Sequence, residues 1–398
     1  MTKRKSFISF VTTFCLMLST LFVFTACGEE EHQHKFSTKW SADATYHWHA
    51  AECDDTDEVK DKELHQAGVW RSDNAQHWKV CPTCDYEVSA RVNHEFVNFV
   101  CQCGAISQEA TMLVISNGTA AYYDSFSTES LAALSVDSQV TLLKDITIEK
   151  YISINKTVSI DFNGHTVTAT QSGGFDVKED NTVTDAVILT LSNGTLDTYK
   201  WGAWVENGGQ LVVASDFTIL ANRANLTTAN AVTIVGEGSQ LDFYGTAIVT
   251  GKTNCISGHG NIENGGIIVN INDGAVIEGG ENGIYLPNSR ALNIGKASIT
   301  AETALYLRSG TTTINGAKIT ATGEKKEYVY VDGQQYSTGD AIIMDSVGYP
   351  GGAPTIILLD ATIASENGSA FVVYKVNGND ASITNNTDYT AEIHEVNA

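Results

Sequence analysis

The chain has 398 residues, and its 24 Lys and Arg stand against 47 Asp and Glu, a formal net charge of −23 at pH 7. So negative a surface repels polyanions, which excludes nucleic-acid binding through a basic face. With 42% hydrophobic and 18% charged residues the chain is globular rather than disordered, and 34 glycines beside 4 prolines suit many short strands joined by glycine turns.

The N-terminus has a basic stub, Met1-Thr2-Lys3-Arg4-Lys5, then an apolar run over residues 7–24 and small residues leading into Cys27. That order is an export signal; a retained membrane-spanning helix is the alternative for a run of this length. Phe24-Thr25-Ala26-Cys27 resembles a bacterial lipobox, although Phe24 stands where Leu is usual. The resemblance implies a signal peptide over 1–26, lipidation of Cys27 as the first mature residue, and a short tether over 27–33. The expected partner of this end is a membrane, reached through the lipid, and the expected location is the outside of the cell envelope.

Residues 28–104 hold 7 of the 10 histidines, 4 of the 6 tryptophans and 5 cysteines besides Cys27, with no Ile or Met and 11 Val, Leu or Phe in total. So few aliphatic side chains make little core, and small domains of that kind need a covalent or metal staple. Trp40, Asp43, His47 and Trp48 recur as Trp70, Asp73, His77 and Trp78 at an offset of 30, while His34, His65 and His94 mark successive units. In the second unit His77 is followed by Cys81-Pro82-Thr83-Cys84 and then His94. Two thiolates in a C-x₂-C turn with flanking imidazoles make a Cys₂His₂ set for zinc, and the self-contained unit favours His77, Cys81, Cys84 and His94. Cys101 and Cys103 offer an alternative Cys₄ grouping with Cys81 and Cys84. A disulfide or redox pair is open to an exported chain as well. In the first unit Ala51 occupies the place of Cys81, leaving His47, Cys53 and His65, with His49 or a carboxylate of the nearby Asp54 and Asp55 as the fourth ligand, as a weaker set or a lapsed one. These units resemble tandem His-Trp/Cys repeats near the N-termini of surface proteins from anaerobic, mostly gut-associated bacteria. The resemblance implies a metal-stapled spacer over 34–104 rather than a catalyst.

From Val140 onward a phrase of turn, small residue and short strand keeps returning. Its aliphatic anchors Val167, Leu196, Ile219, Ile248, Ile277, Ile299, Ile319, Ile363 and Ile383 are 29, 23, 29, 29, 22, 20, 44 and 20 residues apart. A base period just above 20 with loop insertions is a solenoid, and short alternating strands make it all-β, a parallel β-helix over 138–398 rather than a sandwich. The 44 reads as two turns with an insertion at 323–338. Asn117-Gly118 between two strand-like runs predicts a hairpin, and residues 127–135 a short helix with a Ser or Thr cap, together closing the column's open end over 105–137. The opening coils resemble those of right-handed, pectate-lyase-like β-helices in bacterial surface proteins.

Many proteins of that fold act on acidic polysaccharides. A lyase would need a calcium-binding carboxylate cluster beside a basic residue, and none accompanies Arg223, Arg290, Arg308, Lys252, Lys296 or Lys318. Gly258-His259-Gly260 matches a hydrolase motif, but no Asp-Asp pair precedes it in the same domain. Cys255 reads as a packed thiol. Aromatics gather instead on two insertions, Phe175, Tyr199, Trp201 and Trp204 on one and Tyr328, Tyr330, Tyr336 and Tyr349 on the other, where they can stack on sugar rings or anchor a protein. The leading expectation is a non-enzymatic surface lipoprotein presenting a face to a glycan or protein. The other is a polysaccharide-active enzyme.

Overall fold

A computed structural model describes residues 33–54, 57–179, 186–259, 266–326, 339–346, 352–376, 378, 380–384 and 389–396. The chain forms two compact units, divided between His94 and Glu95.

In the first unit the repeat becomes a pair of three-stranded antiparallel sheets. β1 (Phe36–Ala42), β2 (Tyr46–Ala51) and β3 (Val59–Leu64) make one; β4 (Val69–Ser72), β5 (Gln76–Val80) and β6 (Val92–Asn93) make the other. Asp43 begins the first hairpin turn, its carboxylate accepting from the backbone N–H of Thr45 and Tyr46 at 2.7 Å, and Asp73 does the same for Ala75 and Gln76 at 2.8 Å. These bonds to the charged form hold both carboxyls below the usual range. Tryptophans cover the outside, with Lys62 over Trp48, Lys79 over Trp70 and Arg91 over Trp78. Among the described residues of this unit, the buried apolar side chains are Val80 and Cys81, and the buried polar ones are His47 and His77. That is too little core to hold some 60 residues together.

The second unit opens with a small hairpin, 96–97 with 100–101, and a larger one, Met112–Ser116 with Thr119–Tyr123. Asn117 and Gly118 sit at φ 49° and 74° in the larger turn, the left-handed pair that a two-residue hairpin requires. The helix Thr128–Ala132 follows, with Ser127 and Ser130 forming a reciprocal capping box. The first hairpin strand then pairs antiparallel with Ser138–Leu142, where the solenoid begins.

Each coil contributes three strands, for example Val158–Asp161, Thr166–Ala169 and Phe175–Lys178. Each strand pairs in parallel with its counterpart one coil on: Val158 with Leu189, Val167 with Leu196, Phe175 with Ala203. Three parallel sheets result, so the unit is a β-helix. Inward residues alternate with outward ones and stack into one column that contains the edge-to-face pair Phe162 and Phe217, 4.7 Å apart. Outside, carboxamides extend the stacking from coil to coil: Asn270 donates to Asp242 at 2.7 Å and Asn293 to Asn270 at 2.8 Å. Cys255 is packed inside, its thiol donating to the Glu278 carbonyl, and burial pushes it up to about 12.

Three anchor positions differ from the sequence reading. The stacked row runs Val167, Leu196, Ile219, Ala247, Ile277, Ile299, Ile319, Ile363, so Ala247 faces the core and Ile248 points outward. Ile319 pairs directly with Ile363, so the spacing of 44 is one coil with a long excursion, not two turns. Ile383 pairs with Ile356, on the same strand as Ile363, and so stacks in a different row.

Candidate metal centre

His47 lies mid-strand in β2, and His65 directly follows β3. Cys81 and Cys84 follow β5 in a tight knuckle, in which Asp85 N–H donates to the Cys81 carbonyl at 2.9 Å and Cys81 N–H to that of Tyr86 at 2.8 Å. One nitrogen or sulfur from each of these four residues lies within 4.8 Å of the other three. His65 Nδ1 is 3.4 Å from Cys84 Sγ, and His47 Nδ1 is 3.9 Å from Cys81 Sγ. A tetrahedral ion bound about 2.3 Å from sulfur and 2.0 Å from nitrogen needs an N···S separation of about 3.5 Å, between those two values. The donor set fits such an ion.

The surroundings prepare the ligands. His65 Nε2 donates to the Asp43 carbonyl at 2.8 Å, which turns Nδ1 toward the thiols; its ring also stacks on Tyr86 at 4.7 Å. That carbonyl bond raises the His65 pKa. His47, fully buried, meets Trp40 edge to face at 4.7 Å. Burial pushes the Cys81 thiol up, but hydrogen bonds from His65 and from the backbone N–H of Thr83, Gln66 and Cys84 outweigh it and bring Cys81 down to about 6. Burial raises Cys84. One thiol is thus ready to bind as thiolate near neutral pH.

The imidazoles at the Cys81–Cys84 knuckle are therefore those of the preceding unit, not His77 and His94, and the knuckle closes on histidines rather than on two further thiolates. His77 and His94 repeat the geometry of His47 and His65 one unit later. Their ring centroids are 5.2 Å apart against 5.5 Å, His94 Nε2 donates to the Asp73 carbonyl at 2.9 Å, and His77 meets Trp70 at 4.8 Å. In the second unit Cys101 begins another knuckle, in which Gly104 N–H donates to its carbonyl at 2.8 Å and Cys101 N–H to that of Ala105 at 2.9 Å. Cys53 lies apart from His47 and His65, with its Sγ 3.3 Å from His34 Nδ1, and His49 stacks on Trp40 at 3.9 Å. No cysteine among the described residues is in a disulfide. The Asp43 and Asp73 carbonyls escaped the sequence reading as histidine supports, although both aspartates mark the repeat.

Of the aromatics singled out in the solenoid, Trp201 and Trp204 are half-buried with centroids 6.4 Å apart, and Tyr199 is exposed. Phe175 is a core residue rather than a loop aromatic, because it begins an inward-facing strand. Cys27, Tyr328 and Tyr330 lie outside the described residues.

Fold and site define a β-helix protein with a small His/Cys module able to hold a metal ion. No family model, curated protein or solved structure matches the chain.

Proposed function

We propose that this is a non-enzymatic lipoprotein of the cell surface, tethered through Cys27, spaced from the membrane by a zinc-stapled module, and presenting its β-helix to a glycan or protein ligand. The observation that carries the reading is the His47, His65, Cys81 and Cys84 group. Four protein ligands saturate a tetrahedral ion and leave no position for substrate, which is the pattern of a structural site. Two thiols and two imidazoles favour zinc over calcium or magnesium. The unit around them has almost no apolar core to fold on without an ion. On the correspondence of the repeat, a second ion is assigned to His77 and His94. The basic stub, apolar run and Cys27 support export and lipidation.

Elemental analysis of chelator-free protein, with fatty-acid labelling of the Cys27→Ser variant in cells, tests this. Two zinc ions per chain and a label that disappears in the variant are expected. Metal-free protein that still resists protease over residues 33–94 would overturn the staple, and a label that survives the substitution would overturn the anchor.

A further inference from the structure

We propose that a cleft in the first coils of the β-helix is a binding site for a neutral oligosaccharide, with Trp201 and Tyr151 as its stacking platform. The inference rests on the ligand-presenting role proposed above and gives it a place.

The cleft has a volume of about 520 Å³ and is formed where successive turns enter the third sheet. That volume is within the usual range for a small-molecule site, roughly 300–1,000 Å³. Tyr151 and Trp201 come from coils two apart, with the Gly173 coil between them, and their rings lie 5.6 Å apart at 44°, an open V rather than a closed stack. Trp201 rests on Gly173: a Cβ there would come within 2.1–2.3 Å of three of its ring atoms. The glycine is therefore a flat seat that fixes the indole before any ligand arrives, and a pre-set aromatic spends little ordering entropy on binding. Tyr151 remains 46% exposed.

Four charged side chains complete the cleft, Glu129, Glu149, Lys150 and Lys200. Two carboxylates and two ammonium groups cancel, in a chain whose net charge is −23. A cleft without net charge gives no advantage to a polyanion or polycation. It offers acceptors and donors side by side next to apolar faces, which is what a pyranose ring, apolar on its faces and hydroxylated at its rim, requires. Among the described residues a further depression, about 850 Å³ beside Lys252, Glu278 and Glu302, has no aromatic lining.

The test is isothermal titration of the full chain with neutral trisaccharides of glucose, mannose, galactose and xylose and with polygalacturonate. The variants are Trp201→Ala, Tyr151→Ala and Trp204→Ala, each checked by circular dichroism. At least one neutral trisaccharide should bind, and Trp201→Ala and Tyr151→Ala should each weaken it at least about tenfold, equivalent to 1.4 kcal/mol, with Trp204→Ala near wild type. Tyr151 is exposed enough that its variant will fold, so the result does not hinge on Trp201. Saccharide binding that survives both key substitutions would overturn the cleft while leaving the ligand-presenting reading intact. Binding of polygalacturonate alone would overturn the neutral class. No binding of any probe up to about 5 mM would overturn the saccharide assignment, and protein ligands would then be what remains of that reading.

Discussion

Replacing Cys81 by Ser removes one thiolate from the group it forms with His47, His65 and Cys84. Structural zinc in small modules is bound with about 10–16 kcal/mol of apparent free energy, so one ligand in four is worth about 3 kcal/mol, or on the order of 150-fold in affinity. Apolar burial cannot compensate. Val80 is the one other buried apolar side chain among the described residues of that unit, and a fully buried valine contributes about 1.5–3 kcal/mol. Competitive titration against a chromogenic chelator measures the affinity, and limited proteolysis reads the fold of residues 33–94. Loss of one zinc per chain under chelator, with new cleavage in this unit and unchanged melting of the β-helix, is expected. His47→Ala should behave likewise although His47 lies 34 residues from Cys81, whereas a ligand set confined to one repeat would leave it silent. Wild-type affinity in Cys81→Ser would refute the reasoning.

Other outcomes follow from the same geometry. In metal-free protein, where the unit has lost its staple, Cys81 should be alkylated as an ordinary thiol, half-maximally near pH 8.5, as mapped by mass spectrometry; half-maximal alkylation near its folded value of about 6 would show that the surroundings survive without the ion. Because the folded value lies below the unfolded one of about 8.5, the stabilisation is full above pH 8.5 and is lost as pH falls through 6. In the solenoid, Ala247→Leu should overpack the column by about 1–3 kcal/mol while Ile248→Ala stays within about 1 kcal/mol; the reverse order in thermal unfolding would show that the strand's faces are exchanged. Asp345→Ala leaves the buried Arg308 guanidinium without the carboxylate 3.8 Å away, and should cost about 3–5 kcal/mol in denaturant unfolding. An unchanged midpoint would show that this ion pair carries no stability.

The repeat and the solenoid were legible because both depend on periodic placement of a few residue types. The partition of ligands was not. Spacing along the chain makes His77, Cys81, Cys84 and His94 look self-contained, but β5 carries His77 toward His94, on which its ring closes at 5.2 Å, and away from the knuckle that follows Val80. The cysteines meet the histidines of the unit before, which linear proximity conceals. Ala247 and Ile248 were confused because strand alternation has a period of two, so a slip of one residue exchanges the faces. The 44-residue gap before Ile363 equals two periods by length alone, and only the pairing with Ile319 shows it to be one coil. Tyr151 drew no notice in the sequence because it lies two coils before the tryptophans, and the cleft exists only after stacking.

The register of the coils also makes the β-helix a ruler. Each coil advances the column by the inter-strand spacing, about 4.8 Å, however many residues its loops contain. Removing residues 278–299 would delete one graduation, because Ile277 and Ile299 occupy equivalent rungs. Any feature beyond that point would move toward the start of the column by that fixed step, in discrete increments rather than continuously. Reach from the first coil is therefore written in the number of coils, and loop length is left to vary without altering it.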